Sequence, residues 1–212
     1  MEKETILFES DITEEYYKAF MKCERIGWDI ETSGLSWKTD KIALCQISAK
    51  GSPVALVRIF EKKPKYLCKL ISSAKLEKVF HHAVFDLRFI TNSWAALPRN
   101  ISCTKIAAKV LMGPQADGTT LKNLLKQFLG VEITKKERKS NWFRDELSFK
   151  QLSYASLDAK YLIQLLDALM HELRKADLEY LARHCFQHIP TRVILDLMGY
   201  ADIYEYGSKP SN

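Results

Sequence analysis

Short runs of apolar residues fill the first half of the chain, and apolar residues at helical spacing fill the second. Residues 12–24 carry an amphipathic helical pattern. Residues 25–31 (RIGWDIE), 42–48 (IALCQIS) and 54–59 (VALVRI) read as strands. Ser33 and Gly34 mark the first turn, and the run Lys50, Gly51, Ser52, Pro53 marks the second. A fourth strand is predicted over 78–82 (KVFHH), with a helix over 85–93 after it. Helices follow over 105–111 and 121–129, the latter with Gly130 in a C-cap position. A long helix should start near Ser148, whose hydroxyl can cap it, and run to about Lys175. One more should reach about His188 and end at Pro190. Strands first and helices later predict an α/β fold: a mixed sheet flanked by helices. No repeat or low-complexity linker divides the chain. The expectation is one domain over 1–206, with a disordered tail over 207–212.

Composition narrows the picture slightly. The 212 residues, 47% hydrophobic, suffice for one core. Lys and Arg exceed Asp and Glu by 32 − 26 = 6, which suits a polyanionic partner without establishing one. Cys23, Cys45, Cys68, Cys103 and Cys185 are scattered, odd in number and never in a CxxC pair. That argues against a disulfide framework or a cysteine zinc site, and for a reducing, cytoplasmic setting. The N-terminal residues show no apolar signal core, and no run of about 18 apolar residues predicts a membrane span.

Three separate segments carry the candidate chemistry. Asp29 and Glu31 stand two apart in an apolar strand and so share a face. Two carboxylates on a buried strand repel each other and are costly to desolvate; a divalent cation removes both problems. Tyr154 and Asp158, four apart, share one face of the late helix. Asp86 follows the KVFHH strand and opens a helix, with Arg88 and two histidines nearby. His81 and His82, adjacent on a strand, point to opposite faces and cannot easily share one ion. A carboxylate-dominated ligand set favours Mg²⁺ or Mn²⁺ over zinc. Singly, each element has an ordinary reading: an exposed acidic strand end, a helix-surface pair, a helix-start acid.

Together their order resembles the DEDD exonucleases of the Tyr subtype, within the ribonuclease H-like superfamily, and ribonuclease D in particular. WDIETSGL, FHHAVFDLRFI and YASLDAKYL are similar to that family's three motifs, and GVEITKKERKSNW is similar to its linker segment. Thr134 and Asn141 depart from the pattern, which usually has Asp at both positions. The length and the ending CFQHIPTRVILDLMGYADIY resemble the short single-domain branch called nano-RNase C, without the C-terminal helical domains of full-length ribonuclease D.

The resemblance implies a 3'→5' exoribonuclease that releases nucleoside 5'-monophosphates. Two divalent cations would be held by Asp29, Glu31, Asp86 and Asp158, with Tyr154 orienting the attacking water. Glu31 and the backbone of Thr32 would meet the terminal 3'-hydroxyl. Leu35 either wedges against the terminal base or packs in the core. His81 contacts substrate or is simply hydrogen-bonded beside the site. Trp142 stacks on a base or anchors the linker. Lys135 and Arg138, with Lys136 and Lys139, guide phosphate or form a solvated loop. The branch implies a homo-oligomer acting on very short RNA, and Ile189, Val193, Leu195, Leu197 and Tyr200 are candidates to bury against a neighbour. Two alternatives remain: a DNA proofreading or repair exonuclease with the same four acids, and a non-catalytic nucleic-acid-binding module.

Overall fold

The computed structural model describes residues 5–60, 63–115, 117–133 and 140–204. Lys135, Arg138 and the rest of the basic run, Thr134, and the tail from Gly207 lie outside the described residues. Among the described residues six strands form one mixed sheet: β1 (Thr5–Glu9), β2 (Arg25–Thr32), β3 (Ile42–Ser48), β4 (Val54–Arg58), β5 (Glu77–Phe80) and β6 (Ile101–Cys103), in the order β1-β4-β3-β2-β5-β6. β3 runs antiparallel to both β2 and β4, while the remaining pairs are parallel. The helices are α1 (Glu14–Phe20), α2 (Lys65–Ile71), α3 (Ala83–Trp94), α4 (Thr104–Met112), α5 (Leu121–Leu129), α6 (Phe149–Lys160), α7 (Leu162–Lys175) and α8 (Glu179–Leu197).

β3 is buried on both faces, which explains its mostly apolar run, interrupted by Gln46 and ending at Ser48. One face joins the main core with Trp28, Phe80, Leu87 and Leu165. The other supports a smaller cluster of Leu44, Val54, Leu56, Trp142, Tyr154 and Ala155, through which α6 lies on the sheet. The cap predicted at Ser148 is present and is part of a capping box: its hydroxyl accepts the Gln151 N–H, and the Gln151 side chain accepts the Ser148 N–H.

Three sequence expectations are corrected. The long helix predicted from Ser148 to Lys175 is two helices, broken at Tyr161 (φ −103°, ψ 1°). There the Ser48 hydroxyl donates to the Ala159 carbonyl at 2.8 Å, and a side chain entering the helical ladder disturbs it. Pro190 does not end the last helix, which continues to Leu197. Buried Ile189 and Val193 hold it to the domain, and Arg88 Nε binds Asp196 at 2.6 Å beyond the proline. For the same reason Ile189 and Val193, 2% and 0% exposed, pack within their own chain rather than against a neighbour. Among the described residues, no helix is long and apolar enough to cross a membrane.

Candidate active site

Strand alternation puts Gly27, Asp29 and Glu31 of β2 on the face that α6 covers. The approach of α6 depends on Gly27. A Cβ there would lie 2.6 Å from the Ala159 carbonyl oxygen and 2.6 Å from the Ser48 hydroxyl. Without one, α6 settles against β2 and carries Asp158 to the two strand acids. One ligand oxygen each from Asp29, Glu31 and Asp158 then lies within 4.8 Å of the others. A register shift between Glu31 and Thr32 marks the end of the strand, a device that re-aims side chains beside such sites. The Thr32 hydroxyl donates to the Gly34 carbonyl at 2.6 Å, fixing the turn that follows.

Asp86, 3% exposed in the first turn of α3, does not belong to that group of three but lies beside Asp29. Its carboxylate accepts its own N–H and that of Ile30, tying α3 to β2. Burial pushes Asp86 up to about 8 against those two hydrogen bonds. Asp29 is raised well above the usual carboxylate range, first by burial and then by the charges of Asp86, Asp158 and Glu31. Tyr154, 8% exposed, is raised too, by burial and then by Asp158 and Glu31; its hydroxyl is hydrogen-bonded to Asp158.

This donor set fits a divalent cation. It offers hard, acceptor-only oxygens, and the repulsion that raises Asp29 is what a cation would relieve. The protons carry a consequence. Asp86 keeps its proton in the folded protein up to about pH 8, and Asp29 holds its own well above the usual carboxylate range, whereas unfolded carboxylates lose theirs near pH 4. The fold therefore binds more protons than the unfolded chain between these limits, and metal-free stability should fall as pH rises through this window. A cation must displace those protons. Its affinity should rise by about tenfold per pH unit for each proton released, then level off near pH 8. Calorimetric titration of Mn²⁺ between about pH 6 and 8.5 checks this; a pH-independent affinity would contradict it.

The other predicted positions have distinct surroundings. Leu35 is 81% exposed, which excludes core packing. His81 is half-buried, with Nδ1 2.9 Å from the Thr104 hydroxyl. Trp142 is 4% exposed and packs on Tyr154 with ring centroids 6.1 Å apart. Its packing supports the linker-anchor reading over an open stacking platform. Asn141, one of the departures from the family pattern, accepts the Phe143 N–H through its side-chain oxygen. That acceptor role is one an aspartate would also fill.

Sequence reasoning missed three residues that shape this site. Gly27 was signalled only as a glycine in an apolar strand, a mark of close backbone approach. Gln46, opposite Asp29 on β3, is fully buried, and its amide has no partner among the described residues. Arg58 donates to the carbonyls of Arg144 and Asp145, both at 2.8 Å, and holds the segment bearing Trp142 against β4. Arg58 had no sequence signal, because the carbonyls it binds lie 86 and 87 residues away, and Gln46 stood only as one polar residue in a mostly apolar strand.

Comparison with known proteins follows the same lines. The family model for 3'-5' exonuclease matches residues 5–174. Ribonuclease D of Haemophilus influenzae is 36% identical over 162 residues, 74% of this chain and 39% of its own length. The chain thus spans about two fifths of that curated relative. NrnC of Brucella melitensis superposes with a TM-score of 0.88 at 30% identity, covering 96% of this chain and 98% of that one. The Brucella protein has also been solved bound to pGG, with a TM-score of 0.89 at 30% identity over 97% of this chain and 100% of that one. A third structure of it holds bound Mg²⁺.

Proposed function

The chain belongs to the 3'-5' exonuclease family, in its ribonuclease H-like fold, and we propose that it is a metal-dependent 3'→5' exoribonuclease favouring very short RNA. The observation that carries this reading is the meeting of Asp29, Glu31 and Asp158 beside Tyr154 at the end of β2. Asp29, Glu31 and Asp158, with Asp86 behind Asp29, would hold two divalent cations, Mg²⁺ or Mn²⁺. Such cations supply positive charge to the phosphoryl oxygens and acidity to a water nucleophile.

The chain's own groups do the rest. Tyr154 stays protonated at any working pH, so it acts as a donor that positions water rather than as a base. Glu31 and the Thr32 backbone receive the terminal 3'-hydroxyl. Exposed Leu35 lies against the terminal base, and His81 borders the sugar. The product is a nucleoside 5'-monophosphate. RNA is favoured over DNA by the ribonuclease relatives, and a preference for RNA over matched DNA is the discriminating readout.

Short substrates are supported by the near-complete overlap with the Brucella protein, which was solved with pGG. Residues 1–206 form a single exonuclease domain in this reading. Exposed Met198, Tyr200, Ile203 and Tyr204 offer the apolar surface through which copies would associate. Five unpaired cysteines suit the reducing cytoplasm. Two measurements test these points. kcat/KM should be higher for pGG than for an RNA of about 20 nucleotides. Light scattering should report an oligomer. A higher kcat/KM for the long RNA would remove the short-substrate reading while leaving exonuclease activity in place.

A further inference from the structure

A cavity of about 470 Å³ opens where β3 begins and β4 ends, walled by Ile42 and Ala43, by Arg58 and Phe60, and by Trp142 and Phe143. It lies beside the end of β2, the strand that carries Asp29 and Glu31. Ile42 is paired with Thr32, the residue after Glu31, and adjacent strands lie about 4.8 Å apart. Trp142 forms part of its wall while packing on Tyr154.

The lining has a mixed chemistry. Three cations, Lys41, Arg58 and Lys63, reach it, and no carboxylate does among the described residues. Lys63 forms no ion pair among the described residues. Flat apolar surface comes from Phe60 and Phe143, large side chains left 48% and 45% exposed. The walls are held in advance of any ligand. Arg58 lies over the Phe60 ring, 5.2 Å from its centroid, and its guanidinium binds the Arg144 and Asp145 carbonyls. A ligand suited to this cavity carries a flat ring and a negative charge, and the volume falls in the range of small-molecule sites.

We propose that this cavity is a nucleotide subsite, seating the base of one RNA unit against Phe60 and Phe143 and its phosphate on Lys41 and Lys63. The proposal rests on the exoribonuclease reading for its role but not for its binding chemistry. Aromatic stacking tolerates any base, so the subsite adds affinity without sequence preference.

Equilibrium dialysis of adenosine 5'-monophosphate against the full chain in EDTA isolates the subsite, because the cation-free acidic cluster repels phosphate. Adenosine 5'-monophosphate should bind more tightly than adenosine or inorganic phosphate. Phe60→Ala and Lys63→Glu, both at exposed positions, should each weaken it by about tenfold. The same variants should raise KM for short RNA by a similar factor and leave kcat unchanged. Unchanged nucleotide binding in both variants would overturn the proposal even if RNA is hydrolysed normally. Weakened binding in both variants, in a protein that hydrolyses no RNA, would support the subsite and reject the exoribonuclease reading instead.

Discussion

Asp158→Ala should lower kcat by at least about a thousandfold while the protein stays folded. Asp158 supplies one of three oxygens that meet within 4.8 Å, and it holds the Tyr154 hydroxyl. Losing it removes a cation ligand and the partner that orients the tyrosine. A bound cation contributes several kcal/mol of charge stabilisation, and each 1.36 kcal/mol is about tenfold in rate. The fold should tolerate the change because the cluster is self-repelling without cations: Asp29 is raised by its neighbours' charges, so deleting one relieves the rest. The melting temperature of the metal-free variant should therefore equal or exceed that of the wild type at pH 7.5. Near-normal turnover would remove Asp158 from the site.

Gly27→Ala should also damage turnover, though Gly27 bears no functional group. The added methyl would stand 2.6 Å from the Ala159 carbonyl oxygen, a backbone atom that cannot rotate aside. It would also displace the Ser48 hydroxyl from its 2.8 Å bond to that carbonyl. α6 must then shift outward by a few tenths of an ångström or more, carrying Asp158 and Tyr154 with it. Misplacing reacting groups by about 1 Å costs about a hundredfold in rate. The variant should thus lose about a hundredfold in kcat and bind Mn²⁺ more weakly, and overpacking should cost about 1–3 kcal/mol of stability. Wild-type kcat and Mn²⁺ affinity in Gly27→Ala would show that α6 is not positioned through this contact.

The legible parts of the molecule were those decided locally. The strand over 42–48 and the helix over 121–129 were read at their observed bounds. The first is a mostly apolar run, and the second has a Thr120 cap and a Gly130 stop in adjacent sequence. Asp29 and Glu31 could be assigned to one face from strand alternation alone. The illegible parts depend on distant partners. α2 has Pro64 at its N-cap and no side-chain cap of its own. The Asp11 carboxylate, 55 and 56 residues away, accepts the Tyr66 and Leu67 N–H groups instead. β1 gains its place by pairing with β4, and β6 has three residues, too few for a period to show. Pro190 signals a stop, but burial of Ile189 and Val193 outweighs it. Trp142 was readable as a base platform or an anchor, and only packing against Tyr154 separates the two.

The most direct test of the central claim is a time course with 5'-labelled RNA on a sequencing gel, in Mg²⁺ or Mn²⁺ and in EDTA, with free and 3'-phosphorylated ends. A metal-dependent 3'→5' exonuclease gives a ladder shortening one nucleotide at a time from the free 3' end, no shortening in EDTA, and protection by the 3'-phosphate. Full activity in EDTA, or internal cuts that ignore the blocked end, would contradict it.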